Sequence, residues 1–154
     1  MANEYLKNPH SATEITGSGR TESDLIVVGE LNMDLILDQV NNLPSLEKEI
    51  VCEKMNLTIG SSSAIMALNA AALGLNIQFV GKVGNDDFGK TCLNALESRG
   101  INTQHVLISD TENTGLTCIY TQGRKRGMIT YPGSMDTFTF DEIPESVFSS
   151  ARHL

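Results

Sequence analysis

Asn32 and Asp34 stand two residues apart, so in an extended chain both side chains fall on one face, which Glu30 shares. A carboxylate only accepts hydrogen bonds, whereas an amide both donates and accepts, so the pair suits two adjacent hydroxyls of a polyol. Each charge-assisted bond of that kind contributes about 1.5 to 3 kcal/mol. A second segment, Gly60-Ser61-Ser62-Ser63, runs directly into a stretch rich in Ala and Leu. At the start of a helix its unpaired backbone N–H groups and hydroxyls can meet a neutral hydroxyl or an anion, and glycine permits close backbone approach. Each segment also has a plainer account, an exposed alternating strand in one case and an ordinary serine cap in the other. The Gly60 segment lacks the GxxxxGK[ST] spacing and its lysine, so it is not a phosphate loop of that kind, and GxGxxG does not occur, which argues against a dinucleotide site.

These residues need elements to hold them. Leu25 to Val28 is an unbroken apolar run ending at Gly29, the pattern of a strand covered on both faces. Residues 48–59 read as extended chain, and Ala64 to Leu75 as a buried helix. Ile77 to Val83 predicts another buried strand, followed by a turn in which Asp86 caps a helix reaching about Arg99 and stopped by Gly100. Val106 to Ile108 predicts a further strand. Gly115 to Thr121 and Met128 to Tyr131 predict a hairpin across residues 122–127, with Arg124, Lys125 and Arg126 at its tip. Strands alternating with helices imply an α/β fold with a mainly parallel sheet and flanking helices. Asp141, Glu142 and Glu145 open what reads as a new helix, yet no closing strand or capping turn is expected before Leu154, the pattern of a truncated domain. Residues 1–23 mix polar residues, Gly and Pro without period and read as a flexible tail, which leaves 24–154 as the folded part.

Composition removes several function classes. A chain of 154 residues with 40% hydrophobic content can bury one core, and its net charge of −8 repels nucleic acid and anionic lipid. Cys52, Cys92 and Cys118 are odd in number and widely spaced, which suits reduced thiols in the cytoplasm. His10, His105 and His153 form no metal constellation with them. No apolar run approaches the ~18 residues of a membrane span.

Taken in order, VVGELNMDLI at 27–36, IGSSSAIMALNAAALG at 59–74, VGKVGNDDFG at 80–89, LESRGI at 96–101, TG at 114–115 and ITYPGSM at 129–135 resemble the ribokinase-like (PfkB) carbohydrate kinases. The resemblance implies a ribokinase-like α/β fold whose N-terminal half binds a small-molecule sugar under a small β-lid, here residues 35–40, 50–57, 115–121 and 128–131. It also implies ATP-dependent phosphorylation of a sugar hydroxyl, with ATP and Mg²⁺ as cofactors and a homodimer formed through the lid. Asn32 and Asp34 match the family's sugar-contacting Asn and Asp, and Gly60 matches the first glycine of its diglycine. Ser61 stands in place of the second glycine, Ser62 in place of a lysine and Ile65 in place of an asparagine, which weakens the case for ribose and points to a more apolar pocket. Thr117, Ile119 and Tyr131 are expected to face the sugar from the lid. The family's late GAGD-like segment, which supplies the anion hole and the base, is not in the sequence. No catalytic, cofactor-binding or metal-binding residue is therefore assigned to this chain, which is expected to be inactive alone. A nucleoside kinase of the same superfamily and a non-catalytic sugar-binding or dimerisation module are the alternatives.

Overall fold

The computed structural model describes residues 23–40 and 46–154. Residues 1–22, which hold nearly all of the expected tail, and 41–45 lie outside the described residues. Ser23, counted at the end of that tail, is buried as the first residue of strand β1, Ser23–Val28.

Two four-stranded sheets make up the fold. In the first, β1 sits between β4 (Ile77–Gly84) and β8 (Ala151–His153), and β5 (Asn102–Ser109) extends the β4 edge, every pairing being parallel. Such pairing needs crossovers, and α1 (Ser62–Ala72) and α2 (Asp87–Glu97) supply two of them. The second sheet runs β3-β2-β6-β7, with β2 at Asn32–Asp38, β3 at Lys54–Ile59, β6 at Gly115–Gln122 and β7 at Lys125–Tyr131. It is mixed: β2 is antiparallel to β3 and parallel to β6, and β6 and β7 form an antiparallel hairpin.

The larger core cluster is built from Val27, Leu31, Met33, Ile77, Phe79 and Val83 with Ala64 and Ala67 of α1 and Cys92 and Leu96 of α2. A smaller cluster of Ile26, Val80, Ile143 and Val147 fills the opposite face of the first sheet. A buried aliphatic side chain in either cluster contributes about 1.5 to 3 kcal/mol.

Several elements differ from the sequence expectation for identifiable reasons. The helix expected from Asp141 is divided into a 3-10 turn at Phe140–Glu142 and a short α3 at Glu145–Phe148. Pro144 between them has no N–H to donate and drives Ile143 into extended backbone. A closing strand does follow: β8 pairs with β1 through Ser23↔Ala151 and Leu25↔His153. The hairpin turn is tighter than expected, because Lys125 and Arg126 pair with Gln122 and Thr121 and only Gly123 and Arg124 remain as the loop, Gly123 at φ +58°. Strand β3 begins at Lys54 and residues 48–53 are irregular.

Asp86 joins the two sheets. As N-cap of α2 it accepts from Gly89 N at 2.8 Å, and it also accepts from the backbone N and hydroxyl of Thr114 at 2.7 and 2.8 Å. Thr114 is buried and immediately precedes β6. Burial pushes the Asp86 carboxyl up, but the hydrogen bonds from Gly89 and Thr114 outweigh it and hold the group below its ordinary value. Asp86→Ala removes the cap and leaves buried donors of Thr114 unpaired, a loss of about 3 kcal/mol at pH 7. Because the folded value is lowered, this stabilisation is complete above the unfolded value of about 3.9 and is lost as pH falls through the folded one. Urea melts of both proteins from pH 7 downward are expected to show the gap closing below about pH 4.

Candidate functional site

The chain leaves the first sheet at the end of β1 and enters the second as β2 only a few residues later, so the opening residues of β2 lie where the two sheets part. A cleft of about 400 Å³ opens there. Asn32 and Asp34 of β2 line it, joined by Glu30 before the strand, Ser61 before α1, Thr117 and Ile119 of β6, and Met128 and Thr130 of β7. Pro132, Met135 and Asp136 close one side. Register explains the membership. Asp34 pairs with Thr58 and Thr117, and Thr117 with Thr130, so all four share one face of the lid, and Ile36, Ile119 and Met128 make the next row.

Asn32 is 5% exposed, and its Nδ2 donates to Met33 O, Asp34 Oδ1 and Thr117 Oγ1 at 3.3, 3.4 and 3.3 Å. Its Oδ1 is buried with no hydrogen-bond partner among the described residues. Burial raises the Asp34 carboxyl above its ordinary value, and the Asn32 amide pulls it part of the way back. Gly60 keeps the floor open. A Cβ there would collide with the Asp34 carboxylate and stand 2.9 Å from Asn32 Oδ1, so any side chain would displace both groups.

Ser61 carries the main backbone anomaly of the site. Its φ of +71° with ψ of 133° belongs to the region glycine favours, and a non-glycine residue held there costs about 1 to 3 kcal/mol. Three hydroxyl contacts oppose that strain: Ser61 Oγ donates to Glu30 O at 2.5 Å, lies 2.8 Å from Ser63 Oγ, and accepts from Ala64 N at 3.4 Å as the cap of α1. Ser63 Oγ donates to the same carbonyl at 2.8 Å, fixing the loop of Glu30 against the helix start.

Of the residues singled out in the sequence, Asn32, Asp34, Ser61, Thr117 and Ile119 surround this one cleft, and Gly60 lies under its floor. Ser62 and Ile65 are exposed on α1 and do not line it. Tyr131 is a correction: it pairs with Leu116 on the opposite face of the lid and lines a separate hollow with Phe88 and Leu116. Strand alternation gives Thr130 the inward place. Glu30 lay on the Asn32 and Asp34 stripe and was passed over, and Pro132, Met135 and Asp136 enter through a 3-10 turn at Gly133–Met135 that no periodicity marks.

Among the described residues, no group of three or more His, Cys, Asp or Glu side chains is arranged to hold a metal ion. The charged side chains of the cleft, Glu30, Asp34 and Asp136, are all acidic and unsuited to a polyphosphate. The lining of this cleft does not fit ATP, and no chemical step is placed on this chain through ATP or Mg²⁺.

A family model for pfkB family carbohydrate kinases matches residues 22–154. The chain belongs to that family. It is 30% identical over 95 residues to the ribokinase of Haemophilus influenzae, which is 62% of this chain and 31% of that one. It is 32% identical over 84 residues to the 5-dehydro-2-deoxygluconokinase of Geobacillus thermodenitrificans, which is 54% of this chain and 23% of that one. The chain thus spans less than a third of either relative. Arabidopsis thaliana ribokinase, solved in complex with ribose and ATP, superposes with a TM-score of 0.68 at 27% identity, over 73% of this chain and 37% of that one. The ribokinase-like fold of this PfkB chain accordingly covers the parallel sheet and the mixed lid.

The strain at Ser61 can be separated from its hydrogen bonds. Ser61→Ala keeps the strained backbone and loses all three hydroxyl contacts, so it is expected to destabilise by about 1 to 2 kcal/mol. Ser61→Gly also loses them but releases the strain, and is expected to fall within about 1 kcal/mol of the parent. Thermal melts giving Ala the lower Tm of the two check this ordering.

Proposed function

We propose that this chain is the sugar-binding part of an ATP-dependent kinase that phosphorylates a hydroxyl of a sugar or nucleoside, with residues 24–154 forming its N-terminal part. The observation that carries the reading is the unpartnered Oδ1 of Asn32 beside the half-buried Asp34 carboxylate in a cleft also edged by threonine and serine hydroxyls. A buried acceptor without a donor costs about 1 to 3 kcal/mol, and a substrate hydroxyl recovers it. Asp34 accepts from a neighbouring hydroxyl, while the hydroxyls of Thr117 and Thr130, 3.2 Å apart, can donate or accept. Ile119, Met128, Pro132 and Met135 form an apolar wall suited to the C–H face of a sugar ring, and equally to a nucleoside base.

On this reading ATP, Mg²⁺ and the base that deprotonates the accepting hydroxyl act from elsewhere in the protein. A cytoplasmic setting agrees with three free cysteines, Cys52, Cys92 and Cys118. The two relatives carry the names of different substrate classes, ribose and a sugar acid, and either class would satisfy hydroxyl-gripping side chains.

The far face of the lid supports a homodimer. Leu35, Leu37, Met55, Leu57, Cys118, Tyr120 and Ile129 all point away from the cleft, and Met55, Leu57 and Ile129 are 63, 44 and 67% exposed. A second copy laid on this face would cover them. Ile129→Lys is expected to shift the protein toward monomer in sedimentation, with its cleft residues unchanged.

For the site, Asp34→Ala in the natural protein is expected to weaken sugar affinity about 10- to 100-fold while leaving ATP affinity unaltered, as isothermal titration would record. The isolated 154-residue chain, assayed with ATP, Mg²⁺ and a sugar panel, is expected to show no turnover. Robust turnover would place the base in this chain. Sugar binding without kinase activity in the natural protein would favour a non-catalytic binding module.

A further inference from the structure

We infer that the cleft is built to take a neutral or cationic polyhydroxyl ligand and to reject an anionic one, so that the substrate is a free sugar or nucleoside and not a sugar acid. The inference rests on the sugar-binding reading above and narrows it. Three carboxylates, Glu30, Asp34 and Asp136, line the one cleft, and none of the described residues that line it is Lys, Arg or His. The remaining polar groups there, on Asn32, Ser61, Thr117 and Thr130, are neutral. That a ligand belongs here is indicated independently by Asn32, 5% exposed and with its Oδ1 unpartnered. That acceptor calls for a donor hydroxyl, which a neutral sugar and a sugar acid both carry, so discrimination between them falls to the carboxylates of the lining.

The lysine that holds the segment beside the cleft is already committed to carboxylates. Lys82 on β4 lies 3.3 Å from Glu112 and 3.0 Å from Glu142, with its ammonium largely covered. Its hydrogen bond to Glu142, together with the pull of Glu112, outweighs burial and holds it above the ordinary lysine value, so it stays charged and paired. It pins the segment that carries Met135 and Asp136, through Thr137 at 3.2 Å, and leaves the acidic charge of the cleft uncompensated. An anion placed among three carboxylates meets repulsion from each. Glu30 and Asp136 are exposed at the rim and screened by salt, whereas Asp34 is half-buried and screened less.

Equilibrium titration of the natural protein with matched pairs tests this: D-glucose against D-glucuronate, and D-ribose against D-ribonate, with adenosine and the cationic D-glucosamine alongside. Neutral ligands are expected to bind, with each acid at least about tenfold weaker than its partner at roughly 0.01 M salt, and the gap narrowing toward 1 M. Glucosamine is expected to bind at least as well as glucose at low salt. The double variant Glu30→Gln with Asp136→Asn is expected to narrow the acid-to-neutral gap several-fold. Acids binding as tightly as their neutral partners would overturn the inference and leave the sugar-binding reading standing. A gap indifferent to salt and to the double variant would also overturn it, since the rejection would then be steric. Binding of no member of the panel would overturn the sugar-binding reading and this inference with it.

Discussion

One strand has to satisfy two opposed environments, and the rest of the molecule follows from how it does so. In β2 the pleat sends Met33 into the main core, where it is 2% exposed, and sends Asn32 and Asp34 into the cleft. A slip of one residue would bury a carboxylate in hydrocarbon and put methionine among the hydroxyls, so the register of β2 against β3 and β6 is fixed by burial on one face and polarity on the other. Met33, Ile59 and Leu116 anchor the base of the lid to the core, and only beyond them does the outer face become exposed.

Steric restraint then shapes the floor. Gly60 gives up a side chain so that Asp34 and Asn32 can approach the backbone. The next position, where backbone strain would also favour glycine, holds Ser61 instead. The hydroxyl that accompanies this cost ties the loop of Glu30 to the start of α1, so one residue carries strain and part of its compensation. Asp86 does comparable work without strain, reaching from the cap of α2 to Thr114 and so setting where β6 begins and where Thr117 points. Both devices lie outside the cleft's polar inner surface or at its edge, and both decide its geometry.

Much of this was legible in the residues. Asn32, Asp34 and Gly60 were readable because strand period and glycine have direct spatial meaning. The Asp86 cap and the Gly100 stop were readable because helix ends have local chemistry: Asp86 caps α2, and Gly100 sits at φ +73°. Tyr131 was misplaced because its facing depends on which residue of β6 it meets, a pairing set by a turn of two residues instead of the longer one expected. Strand β8 escaped notice because three residues carry no period, and its place beside β1 is fixed by tertiary packing of Ile143 and Val147. Pro132, Met135 and Asp136 escaped for the same reason: a 3-10 turn has no amphipathic signature, and the Lys82 cluster that holds it is brought together from distant parts of the chain.

On the proposed sugar-binding reading, the two halves of the cleft surface make sense together. A sugar presents hydroxyls around its edge and C–H bonds on its faces, so a site that grips only the edge would leave the faces in contact with water, and an apolar slot would strip the hydroxyls of partners. Here the polar residues come from β2 and from paired threonines of β6 and β7, and the apolar ones from the next row of the same strands with Pro132 and Met135. Successive rows of one twisted sheet therefore supply much of both kinds of contact, and the loops of Glu30 and Ser61 and the turn at Gly133–Met135 supply the rest. The charge follows from the same economy. Carboxylates are the strongest acceptors available for hydroxyl donors, and a site that relies on them becomes selective against anions as a direct physical consequence.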